Sequence, residues 1–190
     1  IILLSPEYEA IVVGAGFGGM GATIELKKLG INNIKILERS SGIGGTWYIN
    51  TYPGVAVDIP SSTYCYSFEP NPYWSRLYAP GRELQAYAEH VAEKYDLKRH
   101  MQFNSSVDHT SFDEKNKIWT VNLSDGGTYT ARILILATGF LSQPKTPDIP
   151  GLESFEGKVI HTASWDHEYD LMDKKTAIIV ITCAIISVFV

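Results

Sequence analysis

The sequence predicts a three-layer α/β fold, in which a parallel sheet built from a βαβ unit is joined to a small antiparallel β-meander. Three observations carry that expectation. Gly14-Ala15-Gly16-Phe17-Gly18-Gly19 lies between an apolar run and an amphipathic one, a second apolar run closes on Glu38, and hydrophobicity alternates along much of residues 101–136. At 190 residues, 45% of them hydrophobic, the chain is long enough for one packed core.

Residues 10–13 read as a short buried strand, and Ala22, Leu26 and Leu29 at i, i+4 and i+7 give the following helix its apolar face. Gly30 is placed to end that helix as its C′ residue, and residues 34–37 form the second strand of the unit. Residues 40–80, rich in Gly, Pro, Ser and Tyr, show no sustained periodicity; connections of that length are usually functional. After Pro80-Gly81, the spacing of Leu84, Tyr87, Ala88, Val91 and Tyr95 predicts an amphipathic helix packed on the sheet. Strands are expected over 101–112, 118–123 and 128–136, with turns at 113–117 and 124–127. Trp119, Val121 and Leu123 share one face, and the last strand enters the main sheet.

Composition removes several functions. There are 16 basic and 21 acidic side chains, giving a formal net charge of −5, and no Lys/Arg cluster, so the electrostatic footprint of a nucleic-acid binder is missing. Cys65 and Cys183 are far apart and match no metal or redox spacing, which fits a reducing cytoplasm and no metal site. No secretion signal is visible. Residues 177–190 carry no charge but fall short of the roughly 20 apolar residues that span a bilayer, so they read as a buried strand rather than a membrane helix. The chain starts at Ile1 and stops inside that apolar run, and both ends are expected to be cuts.

The glycine motif gains specificity from its context. GxGxxG directly after a strand and before a helix lets backbone approach a pyrophosphate, and the helix aims its first N–H groups and positive dipole end at that anion. Glu38, 19 residues beyond Gly19, can accept from ribose hydroxyls and disfavours a 2′-phosphate. This is the pattern of a Rossmann-like unit. The glycines alone leave FAD and NAD both open, since the two share an adenosine diphosphate half. The second loop, Ser41-Gly42-Ile43-Gly44-Gly45-Thr46-Trp47-Tyr48, offers a large ring system room near backbone and favours flavin.

Together, GAGFGG, the acidic strand end, GGTWY, YPGVAVD and LATGF resemble class B flavoprotein monooxygenases over roughly residues 8–175. Phe155, Gly157, His161, Trp165 and Asp166 fit FxGxxxHxxxW followed by Pro or Asp, and that pattern resembles the Baeyer-Villiger monooxygenases. Relatives that oxygenate amines and sulfides usually lack its Trp.

The resemblance implies an FAD-binding domain at 1–150 with its meander at about 101–136, an interdomain linker at 151–175, and at 176–190 either a remnant first strand of an NADP-binding domain or an aberrant apolar tail. It implies FAD, NADPH and dioxygen as cofactors and co-substrate, a peroxyflavin that attacks a ketone to give an ester or lactone, and thioether oxidation as a side activity. Asp58, in Tyr52-Pro53-Gly54-Val55-Ala56-Val57-Asp58, is implied as the active-site carboxylate beside the flavin, acting through an arginine partner to keep the peroxyflavin deprotonated; composition alone reads it as a turn cap. Around the flavin the resemblance places Gly14, Gly16, Phe17, Gly19, Glu38, Arg39, Gly45, Thr46, Trp47, Tyr64, Val107 and the Ala137-Thr138-Gly139 segment. Cys65 reads as a small buried filler. His161 and Trp165 are implied to act in the linker rather than in proton transfer.

The chain departs from the family where a second glycine loop should read NADPH. Ile181-Thr182-Cys183-Ala184 stands there instead, and the last glycine is Gly157. The expectation is therefore a truncated Baeyer-Villiger monooxygenase that cannot turn over alone. An N- or S-oxygenating flavin enzyme and a non-catalytic dinucleotide-binding or membrane-tethered module are the alternatives.

Overall fold

The computed structural model describes residues 5–140, 143–181 and 185–189. β1 (Tyr8–Val13), α1 (Phe17–Lys28) and β2 (Ile34–Leu37) form the anticipated βαβ unit. A six-stranded sheet surrounds it in the order β3 (Met101–Gln102), β2, β1, β6 (Thr128–Leu136), β5 (Ile118–Leu123), β4 (Val107–Asp113). The first four of these are parallel and β5 and β4 run antiparallel, so β6 is where the meander merges with the parallel sheet.

The layers follow from the two faces of β1, whose last four residues are all buried, as expected of a strand covered on both sides. Ala10 and Val12 join Ile34, Ile36 and Leu26 on the helical side. Ile11 and Val13 join Leu37, Val121, Leu123 and Ala131 on the other, where the meander folds back over the sheet. Tight turns make that return possible. The Asp113 carboxylate accepts from the amides of Lys115 and Asn116 in one, and Gly126 sits at φ +91° in the other.

Several details differ from the sequence reading. Met101 and Gln102 pair parallel with β2 as a separate edge strand, so the meander begins at Val107. The buried face of α1 is Met20, Thr23, Ile24 and Leu26, whereas Leu29 is 78% exposed as the C-cap residue. Gly30 (φ +85°) is the C′ residue foreseen, its amide bonding Lys27 O while that of Ile31 reaches Leu26 O, in a Schellman arrangement. α3 (Gly81–Lys94) buries Leu84, Tyr87, Ala88 and Val91 as expected, but its partners are Met20 and Ile24 of α1 and Ile43, with the half-buried Met101 the contribution of the sheet. The same cap closes α3 with Asp96 at φ +51°, the amide of Leu97 reaching Ala92 O.

Within 40–80, short helical turns at Thr46–Ile49 (α2) and Ser61–Thr63 replace the featureless loop. After the linker, β7 (Val159–His161), β8 (Ala177–Ile181) and β9 (Ile185–Phe189) make a separate antiparallel sheet in the order β7, β9, β8. The tail is thus a hairpin rather than one buried strand, and Ile178 is 62% exposed. Thr182, Cys183 and Ala184, where the glycine loop was missed, lie outside the described residues. No helix among the described residues is long and apolar enough to cross a membrane.

Candidate functional site

Glycine makes the centre of the site possible. Gly14 has φ +109°, and a Cβ there would stand 2.5 Å from Ala137 O; at Gly19 it would stand 1.9 Å from Gly14 O. No side chain could be fitted at either place without moving backbone. The second loop lies directly against the first, with a Cβ on Gly45 (φ +58°) meeting Gly16 Cα at 3.1 Å, and the Gly44 amide donates to Ala15 O at 3.2 Å. The Ala137 amide donates to Val13 O at 2.9 Å, which brings the Ala137-Thr138-Gly139 segment to the same edge.

α1 begins at this junction without a side-chain cap, its N-cap being Gly16, and with no acid in its first turn. Its leading N–H groups and dipole therefore present an uncancelled positive end, as an anionic pyrophosphate requires. Glu38 directly follows β2 at the same edge of the sheet, with 5% of its surface exposed. One carboxylate oxygen accepts from the Ala15 amide at 2.7 Å and the other from the Ser40 amide at 2.8 Å. Each oxygen retains acceptor capacity for a ribose hydroxyl, while the two backbone bonds fix the carboxylate beside the glycine loop. Arg39 follows at the surface.

Aromatic rings wall the cradle. Trp47 Nε1 donates to the Tyr64 hydroxyl at 3.0 Å, and the two rings meet edge to face at 5.4 Å. Phe17 packs on Tyr64 at 5.5 Å and stacks with Tyr66 and Tyr87 at 5.6 and 5.7 Å. The Tyr66 hydroxyl donates to Phe17 O, and Tyr87 donates to Glu69 O at 2.7 Å while accepting from the Tyr66 amide. Burial pushes the Tyr66 phenol far up and that of Tyr87 up to about 12, so both stay protonated donors at neutral pH. Tyr66 and Tyr87 were absent from the sequence-derived site: Tyr87 announced itself only as a helix core position. Cys65 is half-buried, its thiol directed to Ser62 O.

Gly14, Gly16, Phe17, Gly19, Glu38, Gly45, Thr46, Trp47, Tyr64 and Ala137 thus come together, with Thr138 and Gly139 continuing from Ala137 into solvent. Val107 packs with the core on the meander side, two residues beyond Ser105, whose amide bonds Glu38 O at 2.8 Å. Asp58 is exposed next to the buried Val57.

The fingerprint residues form a second group. His161 caps the short turn Thr162–Ser164 by accepting from the Ala163 amide, and Lys158 pairs with Asp166 at 2.8 Å. That pair holds the Asp166 carboxyl below its ordinary range. Phe155 and Gly157 are exposed, and Trp165 is half-buried. Trp165 and His167 share an open cleft of about 450 Å³ with Pro53, and Thr51 Oγ1 lies 2.8 Å from His167 Nε2. No sequence signal marked the last pair, whose members stand 116 positions apart.

Comparison with known proteins agrees with this geometry. Residues 11–180 match the family described as pyridine nucleotide-disulphide oxidoreductase. A Baeyer-Villiger monooxygenase of Streptomyces coelicolor is 46% identical over 168 residues, which are 88% of this chain and 32% of that protein. A solved structure of an oxidized steroid monooxygenase bound to NADP superposes with a TM-score of 0.76 at 41% identity, over 85% of this chain and 32% of the other. One of OTEMO complexed with FAD and NADP gives 0.79 at 34%, over 87% and 32%. The chain spans about a third of the length of the relatives it matches.

Proposed function

The chain belongs to the pyridine nucleotide-disulphide oxidoreductase family and corresponds to the N-terminal third of Baeyer-Villiger monooxygenases, and on that premise we propose that it is the FAD-holding part of an NADPH-dependent enzyme that inserts oxygen into a ketone. The observation that carries this reading is the close approach of the two glycine loops, Gly16 against Gly45, with Glu38 fixed beneath them. A cradle of bare backbone beside an uncapped helix start fits an adenosine diphosphate group, and the Trp47–Tyr64 wall fits a flat ring.

Bound FAD, reduced by NADPH, supplies the electrons that divide dioxygen between the inserted atom and water. The protein's own residues do the rest. Gly14, Gly16 and Gly19 admit the pyrophosphate to the first N–H groups of α1, and Glu38 takes the ribose hydroxyls with the acceptor sites its backbone bonds leave over. Phe17, Trp47 and Tyr64, packed on one another, would offer a bound flat ring an apolar wall that excludes water. Ala137, held to Val13, fixes the adjacent strand end. Asp58, through the arginine partner that the resemblance implies, would belong to the residues that tune a bound flavin, and Trp165-Asp166 favours ketone oxygenation over N- or S-oxygenation. We place the reaction in the cytoplasm, because the two cysteines, Cys65 and Cys183, match no metal or redox spacing.

By itself the 190-residue chain takes up FAD but does not turn over. Purified protein titrated with FAD is expected to shift the flavin's visible bands and quench its fluorescence at one equivalent. Free FAD behaviour throughout would refute the flavin reading, and NADPH-dependent lactone formation from a cyclic ketone by this chain alone would refute its inactivity.

A further inference from the structure

Thr51 and His167 join two parts of the molecule that no element of secondary structure connects. We propose that they are a positioning pair, holding the loop that carries Asp58 against the fingerprint linker so that a displacement of one is felt by the other. The inference rests on the flavin reading for its consequence, but its geometry stands without the cofactor.

The linker side is internally braced. The Lys158–Asp166 ion pair and the Glu168 amide, which donates to the other Asp166 oxygen at 3.1 Å, fix the turn from which His167 projects. The loop side is braced at both ends and open between them. Asn50 bonds back to Thr46 O through its amide and its side chain, while beyond Gly54 the Val57 amide bonds Ala79 O and the Gly81 amide bonds Val55 O. Tyr52, Pro53 and Gly54 bridge these anchors through a turn closed by the Val55 amide on Tyr52 O at 3.2 Å. The Thr51 hydroxyl at the head of that turn meets His167 at 2.8 Å, and Pro53 shares the cleft with Trp165. The Thr51–His167 hydrogen bond, beside a cleft that Pro53 and Trp165 both line, therefore sets where the turn leading toward Asp58 sits relative to the linker.

Hydrogen–deuterium exchange on the intact 190-residue chain tests the pair. Thr51→Val, which keeps the shape and removes the hydroxyl, is expected to speed exchange about fivefold at the Val55 amide and also at Glu168, the size of effect one net hydrogen bond gives. His167→Phe should do the same, the double variant should add nothing further, and Thr51→Ser should restore the wild-type rates. Amides of residues 8–37 serve as the control for intact folding. Faster exchange confined to the substituted side, or Thr51→Ser behaving as Thr51→Val, overturns the proposal. With FAD added, a changed visible circular dichroism band in Thr51→Val but not Thr51→Ser extends the pair's reach to the ring. If wild-type protein takes up no FAD, the flavin reading fails and the exchange result still decides the pair.

Discussion

The glycine cradle and the linker are both built from loops, yet they are held by opposite means. In the cradle, position is set by backbone: Gly14, Gly16, Gly19 and Gly45 approach main chain so closely that no Cβ fits at Gly14 or Gly19, and buried cores on both faces of β1 support them. In the linker, position is set by exposed side chains, the Lys158–Asp166 pair and the Thr51–His167 bond, which water competes for. The first arrangement has essentially one geometry; the second can open and close at small cost. A cofactor that stays bound needs the former, and a connection between moving parts needs the latter.

The largest blow to this contrast should come from Gly19→Ala. An exposed helical glycine replaced by alanine gains stability, by about 1 kcal/mol. Here the added carbon meets Gly14 O, so a loss of roughly 3 kcal/mol and of FAD uptake is expected in thermal melts and flavin titration. A variant as stable as wild type would show the cradle to be pliable. Glu38→Gln should come next. It leaves one of the two backbone amides, of buried Ala15 or half-buried Ser40, without its carboxylate acceptor, costing about 2 kcal/mol by denaturant unfolding, together with weakened FAD binding.

A smaller effect tests the sheet beneath. His100 is buried, with Nδ1 at Ile34 O and Nε2 facing Arg99 Nε, an arrangement that suits the neutral ring, and burial lowers its pKa. Because the unfolded chain takes up the proton first, the contribution of His100 is complete above about pH 6.5 and declines as pH falls below it. The slope for one proton is at most about 1.4 kcal/mol per pH unit. His100→Asn should flatten the dependence of stability on pH between 6.5 and 5; an unchanged slope would contradict this. The smallest effect belongs to the linker. Lys158→Ala should leave the melting midpoint where it is while loosening residues 158–168 to proteolysis, and a large drop in midpoint would show the linker to be as rigid as the cradle.

Legibility in the sequence divided along the same line. GxGxxG, Glu38 and Gly30 each have a local physical requirement, a close approach, an acceptor at a strand end or a positive φ, that restricts residue type, and each lies where its pattern put it. Asp96 satisfies the same cap as Gly30 without a glycine to announce it. Leu29 was misassigned because a spacing of i, i+4, i+7 can be drawn through more than one helix face, and only the neighbour, Met20 and Ile24 against α3, decides which is buried. Met101 was folded into the meander because alternation does not state a strand's partner.

What the amino-acid sequence determined by itself was the βαβ unit, with its glycine loop and acidic strand end, because each follows from local chemistry within a few dozen residues; the fingerprint was legible only through its resemblance to a family. Only the tertiary structure decided that Gly16 meets Gly45, that Glu38 is fixed by Ala15 and Ser40, and that Thr51 reaches His167. Contacts between distant segments leave no periodicity behind and are fixed by what the whole core brings side by side.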